Sequence, residues 1–123
     1  MIDKSLVADL AAFDTPTICN AIEIVAPERW LTGFTVKPLI CPFPDLPAFV
    51  GYAKTVTIRA THPNEVTGQA ARDQRIRYYE YVASDPAPGI VILQDLDGSE
   101  VGFGAFWGEV QSTVHKALGV AGV

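Results

Sequence analysis

The run Ile90-Val91-Ile92-Leu93 constrains the fold more than any other stretch of the chain. It is enclosed by Pro86, Pro88 and Gly89 on one side and by Asp95-Leu96-Asp97-Gly98 on the other. A continuous apolar run of this length, closed by Gln94, predicts a strand buried on both faces. Such a strand needs a layer on each side, so the rest of the chain must supply elements with apolar stripes. The stretch from Gln69 to Ser84 predicts a helix with Ile76, Tyr79, Val82 and Ala83 on its buried stripe and Arg72, Asp73, Arg75 and Glu80 off it. The stretch from Gly108 predicts a second, with Val110, Val114, Ala117 and Leu118 recurring at helical spacing. Phe49 to Arg59 predicts a further strand, with Val50, Tyr52, Val56 and Ile58 on one face.

The helix after Gly108 has its ends marked. Gly119 supplies the stop, because a residue without Cβ accepts the left-handed conformation that closes a helix. Glu109 lies in the first turn, and His115 and Lys116 in the last, the charge order that the helix dipole favours. The unpaired N–H groups of its first turn can hold an anion. Beyond Gly119, the residues Val120, Ala121 and Val123 begin another buried strand.

Two short helices open the chain. Asp3 caps the first, which carries Leu6, Leu10 and Phe13, and Asp14 marks its end. Thr15 is expected to cap the second, with Pro16 in the first turn, Ile18, Ile22 and Val25 as its buried stripe, and Pro27 as its stop. From Glu28 to Pro47, repeated prolines break any long element. Asp95-Leu96-Asp97-Gly98 lacks the third acid and the closing Glu of a calcium loop, which predicts a plain turn. His62 has no second histidine nearby in sequence and is expected to be a loop residue. Tyr78, Tyr79 and Tyr81 are expected to serve packing.

Composition excludes several function classes. A net charge of −5 argues against a nucleic-acid surface, which needs a basic patch. Arg72, Arg75 and Arg77 are the densest cationic group and are expected on a solvated helix face. Cys19 and Cys41 have no metal-binding spacing and are expected to be free thiols of a reducing cytosol. Neither a signal peptide, judged from Met1-Ile2-Asp3-Lys4 onward, nor a membrane span is recognisable, so the expected location is cytoplasmic.

Several strings also resemble one family. Thr15 to Glu23 (TPTICNAIE) is similar to its opening helix, with Asn20 where an acid often stands. Gly51, Ala53, Thr55 and Val56 match its Gly-x-Ala-x-Thr-Val strand. Pro88, Gly89, Val91, Ile92, Leu93 and Asp95 match its Pro-Gly-x-Val strand signature. Trp107-Gly108-Glu109-Val110, a helix and Gly119-Val120-Ala121-Gly122-Val123 resemble its core. The chain is thereby similar to the RraA-like superfamily, which includes 4-hydroxy-4-methyl-2-oxoglutarate aldolases, oxaloacetate decarboxylases and the regulator of ribonuclease E. In the aldolases an Asp-Gly-x-x-Arg-Asp segment follows this core, and its spacing would place the Arg-Asp pair beyond Val123.

The resemblance implies a divalent-metal-dependent lyase acting on a small 2-oxo acid and releasing pyruvate. Magnesium or manganese is the implied cofactor, with its ligand beyond Val123 and none within this chain. Gly108, Glu109, Val110 and Gln111 are implied to bind substrate, with Glu109 as the acid/base or the residue that orients metal-bound water. The alternatives are a non-catalytic protein-binding regulator and an inactive fragment. The expected fold is a single α+β domain over residues 1–123, of layered β/β/α swivelling type, with a mixed sheet and N-terminal helices; a small doubly wound α/β domain is the rival. The chain is expected to be the front portion of a longer polypeptide and inactive by itself. A homotrimer is expected from the family and from the 49% hydrophobic content, with Trp30 and Trp107 as exposed aromatics.

Overall fold

The computed structural model describes residues 3–123; Met1 and Ile2, at the head of the stretch examined for a signal peptide, lie outside them. The chain forms two compact units, one ending at Phe49 and one comprising Val50–Val123. Helices together with a three-stranded parallel sheet give it an α+β character. Among the described residues, no helix is long and apolar enough to cross a membrane.

The first unit carries helices α1 (Lys4–Leu10) and α2 (Thr15–Val25). Asp3 caps α1 as expected, accepting a hydrogen bond from the Ser5 N–H at 3.2 Å. The cap of α2 is Asp14 rather than Thr15: its carboxylate accepts from the Thr17 N–H at 2.8 Å, and Thr15 is already the first helical residue. A carboxylate at that position answers both an orphan N–H and the positive end of the helix dipole. The bonds from Thr17 hold the Asp14 carboxyl below its ordinary value. The expected buried stripe of α2 is not found, since none of its residues is buried and Val25 is 79% exposed.

In the second unit, β1 (Tyr52–Ile58), α3 (Gly68–Ala83), β2 (Gly89–Asp95), α4 (Glu109–Ala117) and β3 (Val120–Gly122) alternate along the chain. The sheet order is β1-β2-β3, and both pairings are parallel, where a mixed sheet was expected. Parallel neighbours need crossovers, and α3 and α4 are those crossovers. The helices touch each other, Tyr78 of α3 bonding His115 of α4. Both therefore cover the same face of the sheet, as crossovers of one hand in sequential strand order would place them. A doubly wound domain would place helices on both.

The register pairs Lys54 with Val91 and Val56 with Leu93, so Tyr52, Lys54, Val56 and Ile58 share a face with Gly89, Val91, Leu93 and Asp95. That face lies under the helices and holds the buried residues Lys54, Gly89 and Val91. The other face presents Ala53, Thr55, Thr57, Ile92 and Gln94. The run 90–93 is thus not buried on both faces: Ile92 is 44% exposed. Within this unit both helices were committed to one side, and none remained for the other.

The stripes of the two helices are rotated from those predicted. In α3, Val82 is buried and Tyr78 and Tyr79 are half-buried, whereas Ile76 is exposed. In α4 and its C-cap the covered positions are Gln111, Val114, His115 and Leu118, and Val110 is 72% exposed. Gly119 does close α4, with φ at +77°. Gly104 allows a close approach of a different kind, because a Cβ there would collide with the side chain and backbone of Ala60.

Candidate active site

A cleft of about 820 Å³ opens beside the carboxyl end of β1. Val56, Ile58 and Arg59 from that strand end, His62 and Glu65 from the following loop, Arg75 and Tyr78 from α3, Phe106, and Gln111 from α4 line it. In parallel sheets the carboxyl ends of strands are where ligands gather, because the connecting loops diverge there and leave a crevice.

Two carboxylates shape this end of the sheet. Asp97 accepts from the N–H groups of Ala60 at 2.7 Å and Thr61 at 3.1 Å, joining the exit of β1 to the exit of β2. Asp95 accepts from the Asp97 N–H at 2.9 Å and from the Gly102 N–H at 2.8 Å. The bond from Ala60 is the main cause holding the Asp97 carboxyl below its ordinary value. The expectation of a plain turn at 95–98 agrees with this geometry: Gly98 has φ of +61°, and both acids are engaged by backbone N–H groups.

The inner wall is aromatic. His115 is 2% exposed and has the rings of Trp107, Tyr78 and Tyr79 around it, with centroids at 4.7, 5.6 and 6.2 Å. Its Nδ1 lies 2.7 Å from the Gln111 carbonyl oxygen and its Nε2 2.6 Å from the Tyr78 hydroxyl. Burial, with a smaller contribution from Tyr79, pushes the Tyr78 phenol above its ordinary value. The Tyr79 hydroxyl donates to Gln111 Oε1 at 3.2 Å and fixes that side chain at the cleft wall.

The residues assigned to substrate binding by resemblance divide here. Gln111 lines the cleft; Gly108, Glu109 and Val110 do not, and all three are exposed. Gly108 precedes α4 in extended conformation, and its carbonyl accepts the Ser112 N–H at 2.9 Å. Arg75 and His62, expected on a solvated face and in a plain loop, are exposed and also form part of the cleft. His115, expected to serve as a charge at the end of the helix dipole, is instead the most buried polar group of α4. One signal in the sequence pointed to it: Gln111 and His115, four residues apart, share a helical face with Val114 and Leu118.

Among the described residues, no group of three or more His, Cys, Asp or Glu side chains could hold a metal ion. Asp95 and Asp97, the nearest paired acids, are occupied by backbone N–H groups. Among the described residues, none thus forms a set that fits a resident magnesium or manganese ion. No family model, no curated protein and no solved structure matches the chain.

Proposed function

We propose that the protein is a lyase of small 2-oxo acids, performing retro-aldol cleavage of 4-hydroxy-4-methyl-2-oxoglutarate-like substrates or decarboxylation of oxaloacetate, with pyruvate as product. The observation that carries this reading is the cleft at the carboxyl end of β1, whose wall includes Arg59, Arg75 and Gln111. Substrates of this class carry two carboxylates, and guanidinium groups bind carboxylates through paired N–H donors. With Gln111 Oε1 held by Tyr79, its amide N–H groups remain to donate to a substrate oxygen.

The resemblance to the RraA-like superfamily supports the same reading and extends it to a cytoplasmic homotrimer of layered β/β/α swivelling domains. It also implies magnesium or manganese. Since the described residues gather no ligand set for either ion, no metal-binding role is given to this chain.

The test is pyruvate release from oxaloacetate and from 4-hydroxy-4-methyl-2-oxoglutarate, with magnesium or manganese added and again in a chelator. Turnover that is lost in the chelator and restored by the metal supports the lyase. Glu109 is exposed and outside the cleft wall, and only the resemblance makes it an acid/base; on that reading Glu109→Gln lowers turnover by about a hundredfold with folding unchanged. Full activity of that variant would return Glu109 to the role of a first-turn charge. A second reading, a metal-independent protein-binding regulator, is favoured by the open sheet face around Ile92; metal-dependent pyruvate release under these conditions would remove it.

A further inference from the structure

We infer that Tyr78 and His115 form a proton relay serving the cleft, with Tyr78 touching the substrate and His115 acting as the buried proton acceptor behind it. The substrate class, a 4-hydroxy-2-oxo acid, rests on the lyase reading; the relay itself rests on geometry. A carbonyl oxygen can only accept, so the 2.7 Å contact to the Gln111 carbonyl places the proton of neutral His115 on Nδ1. Nε2 then presents its lone pair to the Tyr78 O–H at 2.6 Å. The Tyr78 and Gln111 contacts are the hydrogen bonds of the ring, and the aromatic rings around it close off solvent. A proton therefore reaches Nε2 from the cleft by way of the Tyr78 hydroxyl, and Tyr78 is itself part of the cleft wall.

The chemistry balances on these two side chains. The substrate's 4-hydroxyl proton passes to Tyr78 Oη while the phenol's own proton passes to His115 Nε2. The oxygen's electron pair forms the new carbonyl, and the electron pair of the breaking carbon–carbon bond enters the enolate of the 2-oxo acid. The imidazolium is held at both nitrogens, donating to the Gln111 carbonyl and to Tyr78 Oη. Return of the proton through Tyr78 to the enolate carbon gives pyruvate and restores both residues. A phenol pushed above its ordinary value resists becoming a stored phenolate, which suits a group that conducts a proton rather than keeps a charge.

Tyr78→Phe removes the hydroxyl alone and is the decisive variant. We expect kcat for 4-hydroxy-4-methyl-2-oxoglutarate to fall by about a hundredfold or more with KM nearly constant, since the lost group acts in the transition state. His115→Gln should fall to a similar level, and the double variant should be no slower than the slower single, because the two act as a unit. A packing role alone would leave kcat intact in Tyr78→Phe, and that result overturns the relay. A second measurement does not depend on turnover: oxalate, a mimic of the pyruvate enolate, is added to isotopically labelled protein. The Tyr78 ¹³Cζ and His115 ¹⁵Nε2 resonances should move together in wild type, and the His115 response should vanish in Tyr78→Phe. Absence of that coupled movement overturns the relay. Wild-type protein that releases no pyruvate yet shows it overturns only the lyase reading.

Discussion

Lys54 shows how one side chain can be charged, buried and still satisfied. It is 4% exposed, and its ammonium donates to the Ser84 carbonyl at 2.7 Å, to Ser84 Oγ at 3.1 Å and to the Asp85 carbonyl at 3.5 Å, which matches its three protons. The Tyr81 ring lies 5.6 Å away and adds a cation–π contribution. Its stem runs over Gly89, where a Cβ would meet Lys54 Cγ at 3.3 Å. Ser84 and Asp85 are exposed, so water can replace the ammonium at their carbonyls. We therefore expect Lys54→Met, which keeps the stem, to change stability by less than about 1 kcal/mol, because a buried charge traded for an apolar group of similar shape is close to neutral. Lys54→Ala should cost about 2 kcal/mol or more through the cavity left over Gly89. Urea denaturation of the three proteins separates stem from charge; equal losses in both variants would mean that the ammonium bonds dominate.

Among the elements, the exits of β1 and β2 are tied together by a carboxylate. Asp97 accepts from both Ala60 and Thr61 through one carboxylate oxygen, bonds that are stronger to the ionised form, and its folded-state value lies below the ordinary one. A group whose value is lowered by folding contributes stability above its unfolded value, and that contribution is lost as the pH falls through the folded value. The thermal midpoint of the wild type should therefore decline as the pH drops below about 4, the ordinary carboxylate range. Asp97→Asn should begin lower and decline less over the same interval. Parallel slopes in the two melting series would show that the Ala60 and Thr61 bonds do not depend on the charge.

For the whole molecule, the parallel sheet of the second unit leaves Ala53, Thr55, Thr57 and Ile92 exposed on one face. Parallel sheets are ordinarily covered on both faces, and a homotrimer would supply cover from neighbouring copies. Light scattering at micromolar concentration should report a trimer; a clean monomer would remove that proposal. The identity of the elements was legible in the sequence because local signals suffice for it. Alternation set the inner face of β1, the apolar run marked β2, and the left-handed requirement at Gly119 ended α4. The general α+β character followed from these elements, whereas the proposed activity rests on the resemblance and on the cleft. Rotation and surroundings were decided by tertiary structure. Val110, Val114 and Leu118 fit one helical stripe, and Gln111, Val114, His115 and Leu118 fit a neighbouring one almost as well. Apolarity favoured the first; partners selected the second, because the Tyr78 hydroxyl and the Gln111 carbonyl satisfy a buried imidazole that no local pattern could have shown to be satisfied. The cleft was likewise not visible along the chain, since Arg59, Arg75, Tyr78 and Gln111 come to line one cleft only after two crossovers fold back over the same face of the sheet. Sequence fixes what each segment prefers to be; the register of the sheet and the packing of one helix against the next decide which side chains face one another.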